Sequence, residues 1–275
     1  MLKDITLGQY YKKDSVIHSL DPRVKLCATL VILVCLFISS NIFAYFIAVT
    51  FLVIVIKLSK VPVSFIFRGL KSLFLLLFIS IFFNLFFTPG ETICKFFIFN
   101  ITVEGLKLAI KMGSRLVYIV IGSSLLTLTT TPSQITDGLE KSLSFLNVFK
   151  VPVSEIALMM SIALRFIPIL IEETDKIMKA QMSRGADFNK GNLIEKAKSL
   201  IPLLVPLFVS AFRRANDLAY AMESRCYSGS SNRTKLKPLK YKTCDYIGYI
   251  VLLTFIVLII FTRYYKINTL LNFKR

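Results

Sequence analysis

The sequence predicts an all-α, polytopic membrane protein, and three observations support this class. The 275 residues have a mean hydropathy of +0.67, and 55% of them are hydrophobic, which is more than a soluble domain usually contains. Several long stretches carry no formal charge, as membrane-spanning helices require. The 34 Lys+Arg exceed the 16 Asp+Glu and give a net charge of +18, an excess expected in the cytoplasmic segments of a multi-span protein.

A nucleic-acid partner is not expected, although a soluble protein this basic would suggest one. The long apolar stretches make the lipid bilayer the expected environment instead. The five cysteines are odd in number and show no metal-ligand spacing, and His18 is the one histidine. We therefore expect neither a metal site nor a cofactor.

Residues 1–131 are predicted to form a polar leader and four transmembrane helices. Asp21-Pro22 has the composition of a helix start, with Asp as N-cap and Pro at the first helical position. The charge-free stretch 26–56 is too long for one span and short for two, and Ser39-Ser40-Asn41 in its middle is typical of a turn. This pattern predicts a hairpin of two short helices.

The next two predicted spans are residues 72–90 and 102–130. A basic cytoplasmic loop around Pro62 is expected before the first of them, and residues 91–100 are expected to form a short outer connection. In the second span the cations recur every four residues and form one stripe, Lys107, Lys111 and Arg115. We expect Lys107 to reach toward headgroups and Arg115 to lie against protein.

Residues 132–243 are predicted to form a cytoplasmic region. They contain 17 Lys/Arg and 10 Asp/Glu, and 17 − 10 = +7 suits that compartment. Thr131-Pro132 with Gln134 predicts a capped amphipathic helix that ends near Asn147. Two long helices follow it, the first after Pro152 and the second after a box-like cap of Asn192 and Glu195.

The apolar start of the first long helix, Val153–Ile171, has the hydropathy of a membrane span. Arg165 lies in its centre, Pro168 follows, and Glu155 and Glu172 flank it. A central arginine costs about 2.5–3.5 kcal/mol on insertion scales. We therefore predict that this helix lies under the membrane and does not cross it.

Each long helix ends in an arginine between small residues. Aligning Arg184 with Arg225 also aligns Ser183 with Ser224 and Ala180 with Ala221. One such arginine could simply face the negative end of the helix macrodipole or cap carbonyl groups. Two of them at the ends of similar helices favour a paired docking device.

The second long helix is predicted to pack on another helix. Pro202 and Pro206 should kink it or delay its regular part. The face expected to pack comprises Phe208, Phe212, Ala215, Ala219 and Met222.

Residues 244–275 are predicted to contain a last transmembrane helix. With the leader inside, five spans place the C-terminus outside. The basic residues there, such as Arg263 and Lys266, conflict with the positive-inside rule, so the orientation of this end stays open.

Three functional classes remain: a transport scaffold, a self-sufficient secondary transporter and a membrane enzyme that acts on lipid. The sequence has no phosphate-binding G-x-x-x-x-G-K-[ST] loop and no G-x-S-x-G elbow. The spans carry almost no carboxylates, which disfavours a proton-coupled pump. A lipid enzyme would need clustered His or Asp, so the scaffold is the preferred hypothesis and the secondary transporter is the alternative.

Several stretches occur in the order found in one known family. They are Leu7-Gly8-Gln9-Tyr10, Asp14-Ser15, His18, Leu20–Leu26, Thr102–Leu106, Leu126–Thr130, Ala163–Pro168, Ser183–Asp187 and Leu203–Tyr227. Together they cover nearly the whole chain. On these residues the chain resembles the transmembrane T component of energy-coupling factor (ECF) transporters.

The resemblance implies a helical membrane part and three cytoplasmic coupling helices, in a multi-pass protein of the prokaryotic cell membrane. It implies a non-catalytic subunit that joins two ATP-binding cassette ATPases to a separate S component, which binds a vitamin or a metal ion. Arg184 and Arg225 would dock on the ATPases, with Ser183, Gly185, Ser224 and Cys226 as their small neighbours. The family usually has Gly where this chain has Cys226, which weakens a glycine cap but leaves the arginine accessible.

Overall fold

The computed structural model describes residues 10–39, 42–96, 99–186, 188, 192–227, 229, 236 and 238–272. Helices dominate these residues, which confirms the predicted class. Residues 7–9 of the N-terminal motif, Ser40 and Asn41 of the predicted turn, Asp187 and most of the basic stretch 228–237 lie outside the described residues.

The described chain divides into two compact units. The described part of one, here called the central unit, lies within Glu140–Pro238. The other, the flanking unit, comprises Gly8–Leu139 and Leu239–Arg275. The boundary falls near the end of the first helix predicted for the cytoplasmic region, so most of that helix belongs to the flanking unit.

The flanking unit contains most of the helices and a β-hairpin. In chain order its elements are α1 Val16–Ser19, α2 Pro22–Ile38, α3 Ile42–Ser59, α4 Val63–Ser72, α5 Phe74–Phe87, β1 Thr92–Phe96, β2 Phe99–Thr102, α6 Val103–Thr129, α7 Pro132–Ser142 and α11 Thr243–Asn272. The last three residues of α7 belong to the central unit. The central unit continues with a 3₁₀ helix, Ser144–Phe149, and then α8 Val153–Ser183, α9 Leu193–Ser199 and α10 Ile201–Glu223.

The predicted hairpin of short helices is confirmed by α2 and α3. Asp21 is the N-cap of α2, where its Oδ1 accepts a hydrogen bond from the backbone N–H of Arg23 at 2.9 Å. The helix ends at Ile38, immediately before Ser39. Cap and turn residues therefore set both ends of α2.

The loop predicted around Pro62 is wrong, because α4 occupies most of it. Pro62 is the N-cap of this helix, a position where its missing N–H costs nothing. α4 and α5 are bent by 62° at the break between them. Pro62 therefore lies in the break between α3 and α4, as expected of a helix breaker, and also begins the second of them.

The connection predicted over residues 91–100 is a two-stranded antiparallel hairpin. Thr92 pairs with Thr102 and Phe96 pairs with Phe99, with an irregularity near Cys94. Thr102 then caps α6, since its Oγ1 accepts a hydrogen bond from the N–H of Gly105 at 3.0 Å. The hairpin thus leads directly into α6, a helix of 27 residues.

In the part of the chain that the structure describes, three helices are long and apolar enough to cross a membrane, and the bent α4–α5 pair makes a fourth if it is counted as one span. The three are Val103–Thr129, Val153–Ser183 and Thr243–Tyr264. The predicted count of about five requires α2 and α3 to cross and α8 not to cross, and it stays a prediction.

Two apolar clusters hold the flanking unit together. The first joins α2, α3 and α11 through Leu36, Ala48 and Phe255, which are all buried. The second joins α3, α4 and α6 through Leu52, Ile66 and Leu128. Arg115 lies 4.8 Å from the ring centroid of Phe37 and donates to its carbonyl, so its predicted position against protein is confirmed.

Candidate functional site

The end of α8 is a Schellman motif with Arg184 as its C-cap. The N–H of Ala186 donates to the carbonyl of Gln181 at 3.0 Å, and the N–H of Gly185 donates to that of Met182 at 3.0 Å. Gly185 has φ +90°, as the residue after the C-cap requires. Gly185 therefore supplies the left-handed backbone that ends this helix.

The end of α10 has the same hydrogen bonds around Arg225. The N–H of Tyr227 donates to the carbonyl of Met222 at 3.0 Å, and the N–H of Cys226 donates to that of Glu223 at 2.9 Å. Cys226 has φ +59°. Arg225 thus occupies the position in this motif that Arg184 occupies in the first, and the alignment made on the sequence has a structural equivalent.

The two ends differ in how far the backbone enters the left-handed region. A side chain is tolerated at φ of about +50 to +70°, so Cys226 at +59° lies within the range open to it. Gly185 at +90° lies beyond that range. The sequence therefore has glycine at the end that needs it and cysteine at the end that does not.

The six predicted site residues are all exposed. Ser183 Oγ donates to the carbonyl of Lys179 and Ser224 Oγ to that of Ala221, each at 3.1 Å, so both hydroxyls are used within their own helices. Neither guanidinium forms a side-chain hydrogen bond or an ion pair with another described residue. Each arginine is thus presented outward from a rigid helix end.

An ion pair joins α8 to α10. Arg214 Nη2 lies 2.6 Å from Glu173 Oε2. The pair precedes each tip by the same number of residues, since 184 − 173 = 11 and 225 − 214 = 11. At a rise of about 1.5 Å per residue, each arginine tip extends roughly 16 Å beyond the pair.

An apolar groove of about 340 Å³ lies between the same helices. Its lining includes Ala215, Ala219 and Met222, so these three lie on the side of α10 that faces α8, although Ala215 and Ala219 stay exposed. The prediction is wrong for Phe208 and Phe212, which are 61% and 68% exposed. The contact face follows Ala211, Ala215 and Leu218, and the phenylalanines are rotated away from it.

The cap predicted to open the second long helix belongs to a separate short helix. The N–H of Asn192 donates to Glu195 Oε2 at 3.0 Å, as expected for the box-like cap, but this cap begins α9. α10 starts at Ile201 with Pro202 in its first turn, while Pro206 lies inside the helix. Pro202 thus marks the delayed start of the regular helix, as predicted, whereas Pro206 does not delay it.

A buried polar cluster in the flanking unit was not foreseen from the sequence. Asp245 is 1% exposed and Lys25 is 6% exposed. Both carboxylate oxygens of Asp245 accept backbone N–H groups, from Asp21 and from Lys242, each at 2.7 Å. The N-terminal motif signalled that Asp21 and Lys25 matter, but nothing local to Asp245 connected it with them.

His18 lies beside this cluster in α1. Its Nε2 donates to the carbonyl of Tyr11 at 2.9 Å, so the neutral ring accepts from the Ser15 hydroxyl at Nδ1, 2.7 Å away. Burial lowers the pKa of His18 below its ordinary value, although the Tyr11 carbonyl opposes this. Among the described residues, no group of three His, Cys, Asp or Glu could hold a metal ion.

Comparison with known proteins places this architecture in a family. The family model described as "Cobalt transport protein" (CbiQ) matches residues 13–236. The chain belongs to this family. The match includes both arginine-tipped helix ends and the buried cluster up to Asp21 and Lys25.

Curated relatives match nearly the whole chain. The energy-coupling factor transporter transmembrane protein EcfT of Clostridium kluyveri is 50% identical over 96% of this chain and 98% of its own. The proteins of the same name from Ruminiclostridium cellulolyticum and Bacillus subtilis are 47% and 43% identical over 96% of this chain, and 99% and 100% of their own lengths are covered. The family and the apolar helices identify the chain as a membrane transport protein.

Proposed function

We propose that the chain is the transmembrane scaffold subunit of an ECF-type ABC importer. It couples ATP hydrolysis by two partner ATPases to the uptake of a vitamin or a metal ion through a separate S component in the prokaryotic cell membrane. The observation that carries the proposal is the pair of matching helix ends, each presenting an exposed arginine that has no side-chain partner among the described residues. The names of the relatives, which are subunits of such transporters, support it.

Two ends with the same arrangement of hydrogen bonds suit two copies of one kind of partner. An arginine fork makes several charge-assisted hydrogen bonds at once and stays charged at any cellular pH. The small neighbours, Ser183 and Gly185 at one end and Ser224 and Cys226 at the other, leave the fork free to enter a groove. Each ATPase subunit would then offer carboxylates or carbonyl groups to one arginine.

Co-purification tests this proposal directly. The tagged chain should retain two ATP-binding cassette ATPases and a small hydrophobic protein, and the chain by itself should hydrolyse no ATP. Uptake is measured with ⁵⁷Co²⁺ and with labelled riboflavin, biotin, thiamine and folate. Uptake without any ATPase partner would instead support a secondary transporter.

Arg184→Ala and Arg225→Ala should each weaken retention of the ATPases, and the double change should abolish uptake. Truncating one partner of a buried charged contact costs about 2–5 kcal/mol, whereas an exposed contact costs far less. Lysine replacements should rescue only part of the activity, because a point charge lacks the fork. Arg213→Ala is the matched control, since Arg213 is an exposed arginine of α10 away from the tip. Normal uptake by the double alanine variant would mean that the two arginines only cap their helices and do not dock on the ATPases.

The proposal includes a topology in which α8 lies at the cytoplasmic face. Arg165 is exposed on this helix, so crossing the bilayer would place an unpaired charge in the membrane, at about 2.5–3.5 kcal/mol. A Gln181→Cys variant, made in a chain whose five native cysteines are replaced, should react with an impermeant maleimide only after the cells are opened. Labelling in intact cells would contradict the proposed topology.

A further inference from the structure

We infer that the start of α2 is where motion of the central unit is passed to the flanking unit, with Arg23 as the residue that positions the returning chain. The inference rests on the proposed function, because only a coupling protein has such a motion to pass on. It concerns the segment Asp21–Lys25, here called the α2 anchor. The contacts that support it all lie within the flanking unit.

The chain leaves the flanking unit after Leu139 and re-enters it at Leu239. Among the described residues, the covalent connections between the two units therefore run through α7 and through the residues that follow Leu239. A displacement of either connection would also move an element that is in contact with both of them. The α2 anchor holds both.

The outgoing connection is packed tightly against the anchor. Gly138 in α7 is buried, and a Cβ atom placed on it would lie 2.9 Å from Cβ of Pro22 and 3.1 Å from Cδ1 of Leu26. Only glycine permits this approach without a shift of the neighbouring atoms. α7 is thus seated directly on the first turn of α2.

The end of α6, which leads into α7, is held by the same segment. Lys25 Nζ donates to the carbonyl of Thr129 at 3.0 Å and to that of His18 at 3.2 Å. Thr131, two residues after Thr129, forms the capping box of α7: its N–H donates to Gln134 Oε1 at 3.0 Å, and its Oγ1 accepts from the N–H of Gln134 at 3.3 Å. The buried ammonium therefore fixes the point from which α7 departs.

The returning connection is held by side chains and by backbone. Arg23 Nη2 donates to the carbonyl of Leu239 at 3.2 Å, and its guanidinium carbon lies 4.7 Å from the ring centroid of Tyr241. The Asp245 carboxylate then ties the Lys242 backbone to that of Asp21. Arg23 is the member of the anchor that reaches farthest toward the point of re-entry.

These contacts suit the transfer of a displacement. Buried charges that are hydrogen-bonded on several sides are costly to separate, because breaking one contact leaves the other charge unpaired. A shift of α7 or of Leu239 is therefore carried to α2 and not absorbed in a loop. α2 is 17 residues long, or about 26 Å, and its far half contributes Ile32, Cys35 and Leu36 to the first apolar cluster.

The test uses the full chain assembled with its ATPases and S component, and compares Arg23→Gln with Arg68→Gln. Arg68 is a matched control because its guanidinium also lies over an aromatic ring, 5.3 Å from the centroid of Phe65, but within its own helix α4. The measurements are ATPase retention, ATP hydrolysis, uptake with the same labelled solutes, and hydrogen exchange of residues 238–245. Exchange is also followed in α5 as an internal reference.

For Arg23→Gln we expect retained ATPases and unchanged hydrolysis, with uptake per ATP lowered about tenfold, because the lost hydrogen bond to Leu239 has a charged donor and such bonds are stronger than neutral ones. Exchange at 238–245 should rise while α5 stays unchanged. Arg23→Lys should recover part of the uptake, because it keeps a donor for Leu239 but loses the planar contact with Tyr241. Arg68→Gln should match the wild type in all four measurements.

Uptake per ATP at the wild-type level in Arg23→Gln, or unchanged exchange at 238–245, overturns the inference while leaving the proposed function intact. If Arg23→Gln is lost from the membrane, Arg23→Lys decides: coupled uptake at the wild-type level overturns the inference, and a partial loss with retained ATPases supports it. Failure of the wild-type chain to retain ATPases is a different result. It removes the proposed function, and with it the motion that the anchor would pass on.

Discussion

The flanking unit and the central unit bury their helices to different extents. α6 has eight buried residues in 27, and α2 has six in 17. α8 has two in 31, and α10 has one in 23. α2 and α6 thus pack against neighbouring helices, whereas α8 and α10 bury few residues and leave large apolar side chains such as Phe212 exposed, as α5 of the flanking unit also does. Exposed apolar patches of this kind mark surfaces that other proteins or membrane cover.

The largest contrast should appear when one large side chain is removed from each unit. Leu36→Ala, at a residue 1% exposed in α2, should lower the free energy of unfolding by about 2–5 kcal/mol because it leaves a cavity. Phe212→Ala, at a residue 68% exposed in α10, should change it by less than about 0.5 kcal/mol. Thermal unfolding of the purified chain in detergent measures both.

In assembly with the partner subunits, Phe212→Ala should have a larger effect than Leu36→Ala. Phe212→Ala should reduce retention of the partner subunits, because the exposed ring is expected to be part of the covered surface. Leu36→Ala, where it remains folded, should retain them. Equal losses of stability in the isolated chain would mean that the central unit is complete by itself, and the contrast between the units would be lost.

A smaller effect should separate the two arginine-tipped ends. Gly185→Ala should destabilise the end of α8 by about 1–2 kcal/mol, since φ +90° is unfavourable for any residue with a Cβ atom. Cys226→Gly should gain less than this, because φ +59° already suits a side chain and glycine adds flexibility to the unfolded chain. Hydrogen exchange at residues 185–186 and 226–227 measures each cap separately. A gain at Cys226 equal to the loss at Gly185 would show that the two ends are equally strained.

The sequence predicted features that depend on residues close together in the chain. The capping box of Thr131 and Gln134 and the two arginine ends were found because caps are set by residues within one turn. The alignment of Arg184 with Arg225 even carried over to the hydrogen bonds of both motifs. Local composition was enough to predict those helix ends at which neighbouring residues form the hydrogen bonds of the backbone.

The features that were missed depend on distant parts of the chain. The bond from the Asp21 N–H to Asp245 joins residues 224 positions apart, and no local pattern marks it. α4 was mistaken for a loop because charges and a proline resemble a loop until the helix is seen to begin at that proline. The phenylalanines at 208 and 212 fit a helical stripe, but which face of α10 meets α8 is decided by the partner helix.

The smallest predicted effect belongs to the Glu173–Arg214 pair, which tests whether the central unit is held by polar contacts at all. The two side chains are 26% and 37% exposed, so water screens their attraction and we expect a coupling energy of only about 0.2–1 kcal/mol. A double-mutant cycle of Glu173→Gln, Arg214→Gln and the double variant measures this energy by thermal unfolding. The exchanged pair, Glu173→Arg with Arg214→Glu, should recover most of the loss that either single reversal causes, because the same two positions again carry opposite charges. If the exchange recovers stability but not uptake, the pair sets the angle at which the two tips are presented. A coupling energy near zero together with normal uptake would mean that only apolar contacts hold α8 on α10. The stability of the central unit would then depend strongly on its partner subunits.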